Sequence, residues 1–411
     1  MKTSFQVKTD RYLGWFLCVV LRFFVRILGF VLGINHKLDR DFKRIVVCKF
    51  KGMGSVIQAS ALLDSLRKSY PDAEIVFVSS NANAGILNAY SELIDRKLLI
   101  DDKGIISLIR SSLTLVLQLW KFRPQVYIDL EVYSNFSSLI CTLSAATNRL
   151  GYYKSDKDYR SGLYTHLMYY NIKAPLMEIY LQMGRILPCT KTSPNLVRPN
   201  YSDSDRESMK VKLSLNDHKY LVINPNASDL RLERRWGKSQ FVSLIAELIR
   251  VYPDYQFVLT GSKSEATYVD EIKQAFHHET RVVQSAGVLN LNELFALIDG
   301  ANAIVTNDTG PLHIALAFRS PVCGLFGPCS PSQYGQMESC VPIYKNVYCS
   351  PCVHEFVVPP CLGNNQCMQQ IEVREVVDGI SKTLSFKQVH KSEDILFEAQ
   401  ESTLGYFKNR P

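Results

Sequence analysis

The sequence predicts an α/β protein made of two tandem, doubly wound Rossmann-like domains with an amphipathic helix in front of them. Three observations carry this. From Ile45 onward, short apolar runs of strand length alternate with amphipathic stretches of helix length. The alternation comes in two series, parted by the polar stretch PNLVRPNYSDSD at 194–205. And 411 residues is enough chain for two or three domains, each with a core of its own.

Tyr12–Ile34 reads YLGWFLCVVLRFFVRILGFVLGI, long enough to cross a bilayer but carrying Arg22 and Arg26 in its middle. At 100° per residue, Arg11, Cys18, Arg22, Arg26, Gly29, Gly33 and His36 share one narrow stripe, and the opposite face is apolar. The pattern fits a helix lying in a membrane interface through residues 12–34, with its arginines toward anionic headgroups. A helix packed on the protein body and a true span are the other readings. The charges inside the run, and the lack of an A-x-A-like site after it, argue against a cleaved signal peptide.

Six runs read as buried parallel strands: IVVCKF (45–50), EIVFVSS (74–80), VYIDLE (126–131), YLVINPN (220–226), QFVLTG (256–261) and AIVTND (303–308). Helical patterns follow at Ser55–Ser69, Gly104–Trp120, Lys238–Tyr252 and Asn292–Gly300. The expected layout is a basic segment at 1–44, one Rossmann-like domain at 45–195, a second at 206–385 and a tail at 386–411. In such a tandem, ligands are expected in a cleft at the C-terminal edges of the sheets. G-x-G-x-x-G and P-loop signatures are both lacking, which removes the usual marks of dinucleotide redox and of NTP hydrolysis.

Composition narrows the function classes. Hydrophobic residues make up 46% and charged residues 21%, an ordinary globular balance. The net charge is +8, but residues 1–44 hold nine cations against three carboxylates, so the rest is nearly neutral. That disfavours a nucleic-acid-binding body and points to a basic N-terminal segment meeting something anionic. Eleven cysteines, seven of them between Cys323 and Cys367, do not resemble a stapled secreted domain, so the thiols are read as reduced and the compartment as cytoplasmic.

The sharpest motif is AIVTNDTGPLHIALAFRSPVCGLFGP at 303–328. A buried strand runs into Asn307-Asp308-Thr309-Gly310, then Pro311 at a suitable first helical position. A plain helix cap explains these residue types. It does not explain Gly310 and His313, which suit a helix N-terminus that receives a phosphate. This stretch resembles the donor-site signature D-T-G-x-x-H…L-F-G-P of family 9 glycosyltransferases, the bacterial heptosyltransferases, which have the two-domain GT-B fold. KFKGMGSVIQASALL at 49–63 is similar to the family's first strand, Gly-rich turn and helix. NPNASDLRLERRW at 224–236 and LTGSKSE at 259–265 resemble two of its donor-side loops. Together the four cover about residues 45–380.

The resemblance implies Asp308, Thr309, Gly310 and His313 around a donor diphosphate, Arg234 on the phosphates with Arg235 a near-equal alternative, and Glu265 on the nucleoside. For the arginines a solvated loop is the other reading. The Gly-rich turn holds Gly52, Gly54 and Ser55, and here the sequence departs from the family. The family's heptosyltransferases carry an Asp, taken to be the general base, where this chain has Ser55, a hydroxyl of ordinary pKa that is a poor base near neutrality. Glu131 is the preferred substitute and Asp129 the alternative, both on one side of the strand at 126–131. A structural carboxylate capping the next helix is the competing reading.

The tyrosine- and arginine-rich stretch 151–171, with Arg160 and His166, reads as an acceptor contact or an exposed loop. Cys349, Cys352, Cys361 and Cys367 have the number and the C-x-x-C start of a four-thiolate metal site but lack the second short pair, so packed thiols are the main reading. Asp-x-Asp pairs occur only in polar stretches, at Asp39/Asp41, Asp156/Asp158 and Asp203/Asp205, so no metal-dependent sugar-nucleotide site and no cofactor is expected. The functional expectation is an inverting, metal-independent glycosyltransferase at the cytoplasmic face of the inner membrane. Its donor would be a nucleotide sugar, ADP-heptose by the resemblance, and its acceptor a lipid-linked or cell-surface glycan. A catalytically silent, nucleotide- or glycan-binding scaffold is the rival, and a sugar-nucleotide epimerase a third reading.

Overall fold

The computed structural model describes residues 8–39, 41–154, 160–215, 218–227, 231–335, 337–353, 356, 359 and 361–386. The chain divides into two compact units, Met1–Asn200 and Tyr201–Pro411.

The first unit is built on β1 (Arg44–Cys48), β2 (Glu74–Ser80), β3 (Arg96–Ile100), β4 (Val126–Asp129), β5 (Asn148–Tyr153) and β6 (His166–Tyr169). All neighbours pair parallel, in the order β3-β2-β1-β4-β5-β6. Strands buried on both faces need apolar residues at every position, and Ile45–Cys48 and Ile75–Val78 supply them. The strand order reverses between β1 and β4, where Cys48 pairs with Asp129. The chains leaving these two strands therefore part at the C-terminal edge, carrying the Gly-rich turn on one side and Glu131 on the other.

The second unit repeats the plan with β7 (Lys219–Asn224), β8 (Tyr255–Leu259), β9 (Val282–Gln284), β10 (Ala303–Asn307), β11 (Val322–Phe326) and β12 (Cys340–Tyr344). Its order is β12-β11-β10-β7-β8-β9, again all parallel, with the reversal between β7 and β10. Trp236, Phe241, Phe257 and Ile380 belong to one core cluster of this unit.

The N-terminal helix, a π turn at Asp10–Gly14 running into Trp15–Leu32, docks on the first unit through the Gly14 and Cys18 part of its surface. Cys18 is fully buried and points its thiol at the Asn135 carbonyl, 3.6 Å away. The Asp10 carboxylate accepts the Asn135 and Phe136 amides at 3.1 and 2.6 Å, capping the helix Asn135–Leu143 from a distant part of the chain. The Nε atoms of Arg22 and Arg26 crowd Gly162, whose φ of +93° and missing side chain let them approach. His36 Nδ1 meets the Thr147 carbonyl at 2.6 Å. Cys18 and half-buried Arg22 therefore belong to a docking seam, whereas Arg11 and Arg26 stay exposed; the outward face is apolar, with Phe16, Phe23 and Phe30 at 56, 64 and 91% exposure.

Candidate functional site

In the second unit, the residues leaving β7 and β10 form a buried polar frame. Asn224 Nδ2 donates to the hydroxyls of Thr306 and Thr309, both at 2.9 Å. Asn226 donates to Asn224 Oδ1 at 3.1 Å and to the Thr260 carbonyl at 2.7 Å. Asn307 donates to the Asn226 carbonyl and accepts the Trp236 amide. Trp236 is fixed on its far side by donating Nε1 to the Ile371 carbonyl at 3.1 Å. Each amide bonded here removes a desolvation penalty, so the frame holds Asp308–Gly310 and the Arg234–Trp236 loop in fixed places.

Asp308 is 2% exposed, yet among the described residues its carboxylate oxygens have no nitrogen or oxygen hydrogen-bond partner, the Cys329 thiol being its neighbour. Arg234 Nη1 lies 3.6 Å from Oδ2 and His313 Nε2 lies 3.7 Å from Oδ1. Arg234 also donates to the Asp308 carbonyl at 3.2 Å. Thr309 occupies the cap position of the helix Gly310–Phe318, but its hydroxyl turns back to accept from Asn224 and donate to the Asn307 carbonyl. Among the described residues no side chain caps this helix; Pro311 has no N–H and Leu312 donates to the Thr309 carbonyl, which leaves the Gly310 amide to meet an anion in front of it. Burial lowers the His313 pKa, against the pull of Asp308 and with Arg234 adding to the lowering. The imidazole is therefore neutral near pH 7 and able to donate one hydrogen bond.

The structure separates the two arginines that the sequence left nearly equal. Arg234 joins Asp308 and His313, whereas Arg235 stacks its guanidinium 3.9 Å over the Tyr268 ring and reaches the Ala227 carbonyl. Glu265 stands in the turn after β8, with Oε2 accepting the Ser262 amide and hydroxyl at 2.8 and 2.7 Å. One cation, one neutral donor, an uncapped helix start and a buried carboxylate can together hold an anion that also carries hydroxyl groups.

The edge of the first unit is built differently. Glu131 is 8% exposed, and its Oε2 pairs with Lys49 Nζ at 2.7 Å while its Oε1 accepts the Phe50 and Lys51 amides at 2.9 and 3.0 Å. Burial alone would raise its pKa, but Lys49 and these amides outweigh burial and hold it below the usual glutamate value. On this geometry Glu131 ties β4 to the turn after β1 and is less basic than a free glutamate, which fits the structural-carboxylate reading. Asp129 is fully buried; it takes hydrogen bonds from Ser137, Tyr164 and the Glu131 amide, and burial raises its pKa despite nearby Arg160. It too is held inside the fold.

Gly52 opens the turn with φ +90°, and the short helix Met53–Gln58 carries Gly54 and Ser55, the latter close to the Tyr180 hydroxyl. Arg160, read as an acceptor contact, is instead 1% exposed and donates to the carbonyls of Glu131, Tyr152 and Ser134. His166 lies against Thr165, partly buried. Among the described residues no three His, Cys, Asp or Glu side chains form a metal-binding group, Cys349, Cys352, Cys361 and Cys367 included. Asp203 and Asp205 lie in the first turn of a helix, and Asp156/Asp158 fall outside the described residues.

Sequence reasoning missed Lys49, Asp10 and the Asn224/Asn226 pair, and it did not foresee the buried place of Arg160. Lys49 and the asparagines had a signal, as polar residues closing apolar strand runs. Asp10 and Arg160 had none, because their partners are remote in sequence.

The sequence profile of glycosyltransferase family 9 (heptosyltransferase) matches residues 133–360, more than half of the chain. The chain belongs to glycosyltransferase family 9. Among family 9 relatives, lipopolysaccharide heptosyltransferase 2 of Salmonella typhimurium is 31% identical over 166 residues, 38% of this chain and 47% of that protein. Lipooligosaccharide heptosyltransferase 2 of Campylobacter jejuni is 21% identical over 335 residues, 79% and 93% of the two chains. The chain matches less than half the length of several relatives at 28 to 40% identity. The ADP-heptose lps heptosyltransferase II of E. coli superposes with a TM-score of 0.68 at 21% identity, over 84% of this chain and 99% of that one, so the fold is GT-B. An E. coli heptosyltransferase solved with ADP gives 0.60 at 15% identity, over 83% and 99%.

Proposed function

We propose that this chain is an inverting glycosyltransferase that moves heptose from ADP-heptose to a lipid-linked glycan acceptor of the lipopolysaccharide type. The observation that carries the reading is the uncapped start of the helix Gly310–Phe318 with Arg234 and His313 converging on Asp308. In the reaction, the acceptor oxygen bonds to the anomeric carbon, the bond from that carbon to the diphosphate oxygen breaks, and the acceptor proton passes to a base. The diphosphate leaves with the electron pair. Arg234, the Gly310 amide and the neutral His313 would neutralise its growing charge without a divalent cation. The apolar outer face of Trp15–Leu32 supports placement on the cytoplasmic face of the inner membrane, where a lipid-linked acceptor lies.

One observation favours a second reading. Ser55 stands where family heptosyltransferases have Asp, and Glu131 and Asp129 are both occupied within the fold. In that reading the chain binds nucleotide or glycan and transfers nothing.

The deciding experiment measures thermal stabilisation against ADP, UDP, GDP, CMP and dTDP, then transfer from ADP-heptose to a lipid acceptor in EDTA. A ligand at about 100 times its Kd adds roughly 2.7 kcal/mol, a readable shift. Selective stabilisation by ADP with transfer in EDTA is the expected result. ADP binding without transfer would select the scaffold, and stabilisation by another nucleotide alone would change the donor.

A further inference from the structure

The helix Ile105–Phe122, which links β3 to β4, is apolar on both of its long faces. Its inner stripe, Leu108, Leu115, Val116, Leu119 and Phe122, packs into the same core cluster as Cys18 and Leu21 of the N-terminal helix and Phe136 and Ile140 of Asn135–Leu143. These three helices therefore cover one face of the first sheet as a single layer. Trp120 Nε1 donates to the Leu143 carbonyl at 2.7 Å, joining two of them at their ends.

The outer stripe is Ile106, Ile109, Leu113, Leu117 and Trp120, spaced three or four residues apart and 52 to 84% exposed. The outward side of a crossover helix in a water-soluble domain is ordinarily polar. Here the only charges within Ile105–Phe122 are Arg110 and Lys121, both exposed, and Asp and Glu do not occur. Arg110 borders the shallow groove formed by Ile106, Ile109, Leu113 and Leu117, and Lys97, Asp101 and Ser107 line the polar groove on its other side.

We propose that Ile105–Phe122 is a second membrane-contact element, seated in the interface of an anionic bilayer beside the N-terminal helix. The inference rests on the membrane placement proposed above and extends it to a segment nearly a hundred residues away. Its inner stripe is bound into the sheet, so this helix cannot span and can only lie flat. Apolar side chains flanked by Lys97, Arg110 and Lys121, with Asp101 as the acidic neighbour in the polar groove, carry a net positive border that matches an acyl boundary beneath anionic headgroups, which is the argument for lipid over a second copy of the chain. One layer then presents two separate strips of contact and fixes the rotation of the first unit on the membrane, which one helix would leave free.

The test uses the full chain with phosphatidylglycerol–phosphatidylcholine vesicles. Replacing Ile106, Ile109, Leu113 and Leu117 together by Ser changes exposed positions and is expected to lower vesicle partition by about tenfold. In a Trp15→Phe background, Trp236 is buried, so quenching by brominated lipid reports on Trp120, and quenching is expected. A companion variant, Phe16→Ser/Phe23→Ser/Phe30→Ser, is expected to weaken partition while leaving Trp120 partly quenched. Unchanged partition of the quadruple variant with an unquenched Trp120 would overturn the proposal, and if the companion variant still lost binding, the N-terminal reading would survive it. Light scattering without lipid checks self-association. A dimer that the quadruple variant dissociates, with partition unchanged, would also overturn it.

Discussion

Glu131→Gln tests whether this carboxylate is a staple or a base. The substitution keeps an oxygen for the Phe50 and Lys51 amides but removes the charge facing Lys49, which is itself only 9% exposed. Breaking a buried pair and leaving one charge behind costs about 3–5 kcal/mol. At about 2–4 °C per kcal/mol for a unit of this size, the low end of that range lowers the melting temperature of the first unit by about 10 °C. The pH dependence has a definite sign. The folded pKa of Glu131 lies below the ordinary value of 4.5, so its stabilisation is full above pH 4.5 and fades as pH falls through the folded value. The gap between wild type and variant, read from urea unfolding by circular dichroism, should therefore narrow below pH 4.5. Adding Lys49→Met removes the stranded ammonium and should recover most of the loss. An equally stable Glu131→Gln protein that binds ADP but has lost transfer would refute the staple and restore Glu131 as the base.

Three other outcomes follow from the geometry. Arg234→Ala should weaken ADP binding by tenfold or more, since charge-assisted hydrogen bonds contribute about 1.5–3 kcal/mol, while Arg235→Ala, which loses a ring contact, should change it less than about threefold by calorimetry. His313, with its pKa below the ordinary 6.5, binds fewer protons folded than unfolded in acid; stability of the second unit should fall as pH drops below 6.5, and His313→Phe should flatten that slope in thermal melts. Asp10→Ala should cost about 1 kcal/mol through the lost cap on Asn135–Leu143 and expose Cys18 to thiol reagents, while Asp10→Asn should retain much of the docking.

The inner strands were legible because burial on both faces writes an unbroken apolar run, as at Ile45–Cys48 and Ala303–Val305. Strands β3, β5, β6, β9 and β12 were not, since RKLLI, NRLGYY, HLMY, VVQ and CVPIY mix polar residues or breakers into short runs. The chain itself also determined the motif at the end of β10: Asp308, Thr309, Gly310 and His313 lie within six residues, and a strand running straight into a helix leaves them one arrangement. What the tertiary structure decided were the partners. Periodicity revealed a polar stripe on Trp15–Leu32 but not which way it faces, because Asp10 and Cys18 find their partners more than a hundred residues away. Likewise Glu131 and Asp129 looked like free carboxylates at a strand end until Lys49, two backbone amides and Tyr164 closed on them. A carboxylate's charge state and duty depend on what lies within hydrogen-bonding distance, and at that range the fold, not the sequence order, chooses the neighbours.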